Sequence, residues 1–176
     1  MGRPRGFDEA EVIRSAVELF ACRSYDGISI DDLVTHLGVH RNSLYKTFGS
    51  KRGLYLAALR RALEHDVAPL VERMAKTAGP AEALREGLAA RGPGLDLLVL
   101  ATVERAPEDT EVAEIVNRTL GSIDRAAAGG TGAGQEISTA LTALLLGLRI
   151  RARSAAPGEP DAGRAGETIV RRLLQH

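Results

Sequence analysis

The 176-residue chain has no tryptophan and a single cysteine, Cys22. One cysteine cannot form an internal disulfide, and a lone small thiol is typical of a protein in a reducing compartment. No run approaches the ~20 apolar residues of a membrane span, and no apolar stretch follows Met1 that could serve as a signal peptide. The sequence therefore predicts a cytoplasmic protein without a membrane partner.

A net charge is also lacking, because Lys and Arg total 23 and Asp and Glu total 23. No field of the whole protein draws it to nucleic acid, so any affinity for DNA must come from a local patch. The segment 38–52 contains such a patch, with four cations and no acid: Arg41, Lys46, Lys51 and Arg52. Distribution of charge matters more here than its sum.

Alternating β-branched runs long enough for a strand are missing, whereas apolar residues recur at spacings of three and four. We therefore predict an all-α fold. Asp8 should cap the first helix, with Glu11 completing a reciprocal capping pair. The predicted buried face of this helix consists of Ile13, Ala16, Val17 and Phe20.

Further helix limits are marked by capping residues, glycine and proline. Ser29 should cap a second helix that ends at Gly38, where a positive φ is expected. A third helix should run from about 40 to 48, and Ser50 should cap a fourth that extends to about 75. Later helices are predicted at roughly 81–90, 95–105, 109–127, 135–153 and 161–174, with Asp109 as a cap.

The second and third predicted helices form a helix-turn-helix. Their apolar residues can share one small core with the first helix: Leu33, Val34, Leu37, Val39, Leu44 and Phe48. The third helix must then present its polar residues to solvent: His40, Arg41, Asn42, Ser43, Lys46 and Thr47. Arginine can bond guanine O6 and N7, and asparagine can bond adenine N6 and N7, so this face is a candidate for reading DNA.

Two segments, ISIDDLVTHLGV from Ile28 and LYKTFGSKRGL from Leu44, resemble the TetR family of bacterial transcription regulators. The resemblance covers about residues 2–60 and includes the basic arm before the first helix. It implies that Tyr45 and Lys51 contact phosphates and that Ser29 lies at a phosphate-facing helix start. It also implies that Arg3 and Arg5 of the arm reach the backbone or the minor groove. His40 departs from the family pattern, which has Ser or Thr as the cap, and could contact the DNA backbone instead.

The resemblance divides the chain into a helix-turn-helix domain with its basic arm, 1–55, and a helical effector-binding and dimerisation domain, 56–176. Surplus apolar residues on the last two helices suit a homodimer interface, with an intramolecular core as the alternative. The interface candidates are Leu141, Leu144, Leu148, Ile169, Val170 and Leu173. An effector pocket is implied, with candidates Leu70, Met74, Leu88, Leu98, Thr102, Glu104, Ile115 and Leu145. Because no aromatic residue follows Tyr55, such a pocket would hold a small apolar ligand by aliphatic contacts.

Catalytic signatures are missing. The segment 129–134 is rich in glycine, but no strand precedes it and no Lys-Ser/Thr pair follows, so it is a linker. The four histidines show no metal-ligand spacing. We therefore expect no enzyme activity, metal or cofactor, and we predict a dimeric repressor of a palindromic operator. A constitutive DNA-binding dimer without an effector and, more remotely, a helical enzyme are the alternatives.

Overall fold

The computed structural model describes residues 7–128 and 134–154, together with Thr168 and Arg172. Every secondary-structure element in these residues is helical, as predicted. The α-helices are α1 (Glu9–Cys22), α2 (Ile30–Leu37), α3 (Arg41–Phe48), α4 (Lys51–Ala62), α5 (Ala68–Ala75), α6 (Pro80–Ala89), α7 (Gly94–Leu100), α8 (Thr110–Ala127) and α9 (Gln135–Ser154). None of the helices in these ranges is long and apolar enough to cross a membrane.

Two π-helical segments, Leu63–Val67 and Ala101–Arg105, follow α4 and α7. The first comes just before Pro69, which lacks the N–H that would bond the carbonyl of His65 in a regular α-helix. A wide π turn at this point relieves the mismatch. The second extends α7 to residue 105, so the predicted helix at 95–105 is confirmed in its extent. The helix predicted at 161–174 lies outside the described residues, apart from Thr168 and Arg172, which are helical.

The predicted helix starts are confirmed by their capping bonds. Asp8 accepts hydrogen bonds from the N–H groups of Ala10 and Glu11 at 2.9 and 3.4 Å, and Ser50 accepts one from Gly53 at 3.0 Å. Each bond satisfies an N–H group that has no partner within the helix. The α4 helix therefore begins directly after a serine that caps its N-terminal end.

The buried face of α1 differs in part from the prediction. Ile13 is only half-buried, whereas Val12 and Leu19 are buried. The reason is that α1 packs against both α4 and α7. Its buried face is therefore wider than predicted and is centred on a different side of the helix. Glu11, which was predicted to complete a capping pair with Asp8, has its side chain 3.5 Å from Arg14.

Two compact units make up the described part of the chain, and the first lies within Met1–Asp66 and Pro93–Ala113. Within it α1 packs on α2, α4 and α7. An aromatic cluster forms part of its core, since the ring of Tyr55 lies edge-on to Phe20 at 5.1 Å and to Tyr25 at 5.0 Å. These aromatic residues of the first third of the chain thus pack α1 and the loop after it against α4.

The described residues of the second unit lie within Val67–Gly92 and Glu114–His176. Here α6 packs on α5 and α9. A Cβ on Gly87 would lie 2.8 Å from a methyl carbon of Leu145, so glycine permits α6 and α9 to approach closely. Arg149 reinforces this contact by donating to the carbonyl oxygens of Ala90 at 2.7 Å and Gly92 at 3.0 Å. The functional boundary predicted after residue 55 stays a prediction.

Candidate DNA-binding surface

The α2–α3 corner is fixed by bonds at both ends of α2. The hydroxyl of Ser29 accepts from the N–H of Asp32 at 3.0 Å, and the carboxylate of Asp32 accepts from the N–H of Ser29 at 2.8 Å. The hydroxyl of Ser29 also donates to the Asp32 carboxylate at 2.7 Å, and this bond, together with the one from the Ser29 N–H, lowers the pKa of Asp32. Gly38 ends α2 with a φ of 65°, a conformation that residues with a Cβ rarely adopt. The sequence therefore sets the angle at which α3 leaves the corner.

The small core beneath this corner includes Leu33, Val39 and Leu44, all buried as predicted. The other three residues predicted for that core are only half-buried: Val34, Leu37 and Phe48. They lie toward the edges of the short helices, where fewer neighbours cover them. The corner is thus held by a few fully buried aliphatic side chains. The exposed polar residues of α3 are not part of this small core.

The polar face of α3 is exposed as predicted, with one exception. Exposed residues on it or at its start are His40, Arg41, Asn42, Tyr45, Lys46 and Thr47. Ser43 is half-buried, because it lies next to the buried Leu44 and faces partly inward. His40 stands at the N-cap of α3 and its side chain makes no capping bond there, so the imidazole is available to another partner.

Glycine also shapes the junction of α3 with α4. Gly49 ends α3 with a φ of 74°, and a Cβ on Gly53 would lie 1.9 Å from the carbonyl oxygen of Phe48. The first turn of α4 therefore lies directly against the end of α3. This contact sets the position of Lys51 relative to Tyr45 and the rest of the α3 face.

Lys51 lies beside an aromatic ring. Its ammonium nitrogen is 4.2 Å from the centre of the Tyr25 ring, and the guanidinium carbon of Arg105 is 4.5 Å from the same centre. Burial lowers the pKa of Lys51 and raises that of Tyr25. A cation over an aromatic face is attracted by the ring, so Tyr25 helps to place the ammonium group of Lys51.

The neighbouring cation, Arg52, is turned toward acids of the α8 start. Its Nε and Nη2 donate to Asp109 at 2.6 and 2.9 Å, and Nη2 also donates to Glu111 at 2.8 Å. The Asp109 side chain is only 7% exposed, and the bonds from Arg52 lower its pKa to about 2. Asp109 also accepts from the N–H of Val112 at 3.3 Å, which confirms it as a cap.

The cationic patch is consequently smaller than the charge count of 38–52 suggests. Arg52 pairs with Asp109 and Glu111, and Arg41 pairs with Asp31 of α2. These acids lie outside the segment 38–52, so the charges of that segment alone could not reveal the pairing. Lys46 is exposed and Lys51 is half-buried, and neither forms a salt bridge with an acid in the described part of the chain.

Some predicted site residues fall outside the described part of the chain. Among the DNA-contact candidates these are Arg3 and Arg5, and among the interface candidates they are Ile169, Val170 and Leu173. Leu141 and Leu148 are buried within the second unit, as the intramolecular alternative expects, and Leu144 is half-buried. Ile137 and Ile150 on the same helix are 47% and 46% exposed. The interface itself stays a prediction.

The predicted effector-lining residues divide between the two units. Leu98, Thr102 and Glu104 belong to the first unit, and the others to the second: Leu70, Met74, Leu88, Ile115 and Leu145. The two polar candidates already have partners, since Thr102 donates to the carbonyl of Leu98 at 2.7 Å and Glu104 accepts from the N–H of Tyr25 at 3.0 Å. A cavity of about 220 Å³ in the first unit has different walls, formed by Arg14, Val17, Glu18, Arg61, Ala62, His65, Asp66 and Pro93.

Sequence reasoning missed one buried polar residue of the second unit. Thr142 of α9 is buried, and its hydroxyl has no hydrogen-bond partner among the described residues. A buried hydroxyl without a partner is unfavourable, because it loses its bonds to water. Its position between apolar residues of α9 gave no signal in the sequence. No group of three His, Cys, Asp or Glu in the described ranges could hold a metal ion.

Residues 12–58 match the family described as bacterial regulatory proteins, tetR family. The uncharacterized HTH-type transcriptional regulator YezE of Bacillus subtilis (strain 168) is 38% identical over 126 residues, which cover 67% of this chain and 65% of that protein. The HTH-type transcriptional repressor BdcR of Escherichia coli (strain K12) is 35% identical over 71 residues, 40% of this chain and 36% of that protein. The chain thus spans just under two thirds of the first of these curated relatives and about a third of the second.

A solved structure matches nearly the whole length of this chain. A cysteine mutant of the TetR family transcriptional regulator CifR, complexed with 26-base-pair double-strand operator DNA, is 28% identical with a TM-score of 0.76. The match covers 99% of this chain and 98% of that chain. The helical architecture of this protein is therefore similar to that of a regulator whose structure has been solved in complex with operator DNA.

Proposed function

Because the chain belongs to the TetR family of bacterial regulatory proteins, we propose that it is a DNA-binding transcription regulator. It acts as a homodimeric repressor on a palindromic operator and is released by a small apolar ligand. The observation that carries the proposal is the exposed polar face of α3, with Lys51 fixed beside it by the α3–α4 junction. Such a helix can enter the major groove while neighbouring cations contact phosphates.

The site residues divide into two roles. Arg41 and Asn42 at the start of α3 read base edges, because their side chains can bond a guanine and an adenine in pairs. The other site residues contact the DNA backbone or help to fix the position of the protein along the duplex: Arg3, Arg5, Ser29, His40, Ser43, Tyr45, Lys46, Thr47 and Lys51. Phosphate contacts fix position and carry no sequence information. Substitutions in the two groups should therefore have different consequences.

A homodimer follows from the apolar surface of α9. Ile137 is about half exposed, and the half-buried Leu144 lies two turns later on the same face of the helix. Burial of such side chains against a second copy is the usual driving force of association. Two copies related by a two-fold axis would place their α3 helices in successive major grooves, about 34 Å apart, and read an inverted repeat.

Effector control is supported by Thr142, whose buried hydroxyl lacks a partner among the described residues. A ligand with one polar atom and an aliphatic body would satisfy this group and fill the aliphatic surroundings. The same fold without a ligand would be a constitutive DNA-binding dimer. Release of DNA by a small molecule distinguishes the two.

We also propose that the protein has no catalytic activity and works in the cytoplasm. Membership of a family of DNA-binding regulators supports both points. Turnover of a small molecule by protein that leaves DNA unbound would contradict the first.

The experiment is a titration of purified protein against DNA flanking its own gene and against random DNA of equal length, at several salt concentrations. Tight binding to the flanking DNA with a steep salt dependence is expected, because cations displace counterions from phosphates. Equally weak binding to both duplexes would contradict the proposal for that DNA. Small molecules are then screened for release of the bound duplex.

A further inference from the structure

The guanidinium of Arg41, at the first position of α3, is held by a carboxylate from α2. Arg41 Nη2 donates to Oδ1 of Asp31, ten residues earlier in the chain, and this bond raises the pKa of Arg41. The next residue, Asp32, has a different task, because its carboxylate closes the capping box of α2. Asp31 therefore takes no part in the capping box of α2.

The Asp31–Arg41 pair contributes little to folding stability. Its side chains are 82% and 51% exposed, and ion pairs between exposed groups are weak because water and salt screen them. A carboxylate on the surface proposed to face DNA also repels phosphates. The pair thus adds little to folding stability, and its carboxylate weakens DNA affinity. The property that it can still influence is the geometry with which Arg41 contacts DNA.

We propose that Asp31 is a positioning residue that determines the base preference of Arg41, an inference that rests on the proposed DNA-binding function. A guanidinium is a planar fork with five N–H donors. The bond to Asp31 occupies one donor and fixes the plane, and the remaining donors can bond O6 and N7 of a guanine. An arginine that is fixed before binding loses less rotational freedom when it contacts the base.

Removal of this carboxylate should change two properties in opposite directions. Asp31→Ala deletes a negative charge near phosphates, so binding to a scrambled duplex should tighten by about two- to threefold at low salt. Arg41 loses its support in the same variant. Preference for the selected duplex over the scrambled one should fall on the order of tenfold, within the discrimination that one bidentate contact provides.

The experiment begins with a random-sequence duplex library, from which the wild-type homodimer selects its preferred sequence. Dissociation constants for the selected and the scrambled duplex are then measured for wild type, Asp31→Ala, Arg41→Ala and the double variant. We expect Asp31→Ala to lower the preference in the wild-type background and to leave it unchanged in the Arg41→Ala background. Coupling of this kind separates a positioning role from a general charge effect.

Glu64→Ala is the matched control. It removes one exposed acid in the π-helical segment after α4, about 20 Å along the helix from Lys51. Its ratio of binding to the two duplexes should equal that of wild type. Thermal unfolding of every variant near the wild-type midpoint shows that the fold is intact.

The outcomes are distinct. If the wild type selects no sequence, the proposed function fails and this inference fails with it. If the wild type selects a sequence but Asp31→Ala retains the full preference, the inference alone is overturned. It is equally overturned if Asp31→Ala tightens both duplexes by one factor, or if it lowers the preference as much in the Arg41→Ala background, because Asp31 would not act through Arg41.

Discussion

Gly53 controls how closely α4 approaches the end of α3, and its replacement by alanine is the sharpest test of that junction. An added Cβ would lie 1.9 Å from the carbonyl oxygen of Phe48 and 3.1 Å from its carbon. Cβ contacts below 3.0 Å essentially never occur, so the oxygen must retreat by about 1 Å. A backbone oxygen can retreat only if α3 itself moves, and that would separate the α3 face from Lys51.

The magnitude follows from two opposing effects. Alanine is favoured over glycine inside a helix by up to about 1 kcal/mol, whereas overpacking costs about 1–3 kcal/mol. We expect Gly53→Ala to lower the free energy of unfolding by about 1–2 kcal/mol in net terms. Gly121→Ala in α8 is the matched control, because its Cβ would meet nothing nearer than 3.5 Å, and it should stabilise the protein slightly.

Denaturant unfolding of both variants measures the stability difference, and DNA titration measures its functional consequence. We expect Gly53→Ala to bind its duplex at least about tenfold more weakly, since a displacement of this size disrupts directional contacts to bases and phosphates. If Gly53→Ala is as stable as Gly121→Ala and binds DNA like the wild type, the close approach of α4 to α3 does not have the role assigned to it.

Three further substitutions test separate parts of the fold. Bonding in the folded state lowers the pKa of Asp109 from an ordinary 3.8 to about 2. The ionised carboxylate therefore stabilises the fold above about pH 4, and this contribution is lost as the pH falls through 2. Asp109→Asn should therefore flatten the loss of stability over that window, and an unchanged acid profile would speak against the Arg52 pairing. Leu33→Ala, at a fully buried position, should lower the unfolding free energy by about 2–5 kcal/mol; denaturation that shows less than about 1 kcal/mol would refute its place in the core. Thr142→Val removes the hydroxyl without a described partner and should raise stability by about 1 kcal/mol, whereas a lower melting temperature would indicate that the hydroxyl is bonded in solution.

Local features of the fold could be predicted from the sequence because the residues that determine them lie close together. The caps Asp8, Ser29 and Ser50 each accept a bond from an N–H group two or three residues later. Gly38 adopts the expected positive φ at the end of α2. Spacing of apolar residues likewise located α3 and the polar face that it presents. The helix-turn-helix follows from such short-range rules.

Long-range pairing could not be predicted in the same way. Arg52 and Asp109 are 57 residues apart, so nothing in the segment 38–52 reveals that one of its cations is bound by acids. Asp31 lies ten residues from Arg41 and on another helix, and its sequence neighbour Asp32 performs the more recognisable capping role. Such contacts depend on how helices pack, and single-sequence periodicity describes only which face of each helix is apolar.

The measurement that tests the central claim most directly is a comparison of Lys51→Ala with Asn42→Ala on a selected and a random duplex, at several salt concentrations. If the α3 face reads DNA, Lys51→Ala should weaken binding to both duplexes by a similar factor and reduce the salt slope by about 1. Asn42→Ala should weaken binding to the selected duplex alone. Equal behaviour of the two variants, or no effect of either, would contradict the account of this surface as the DNA-binding site.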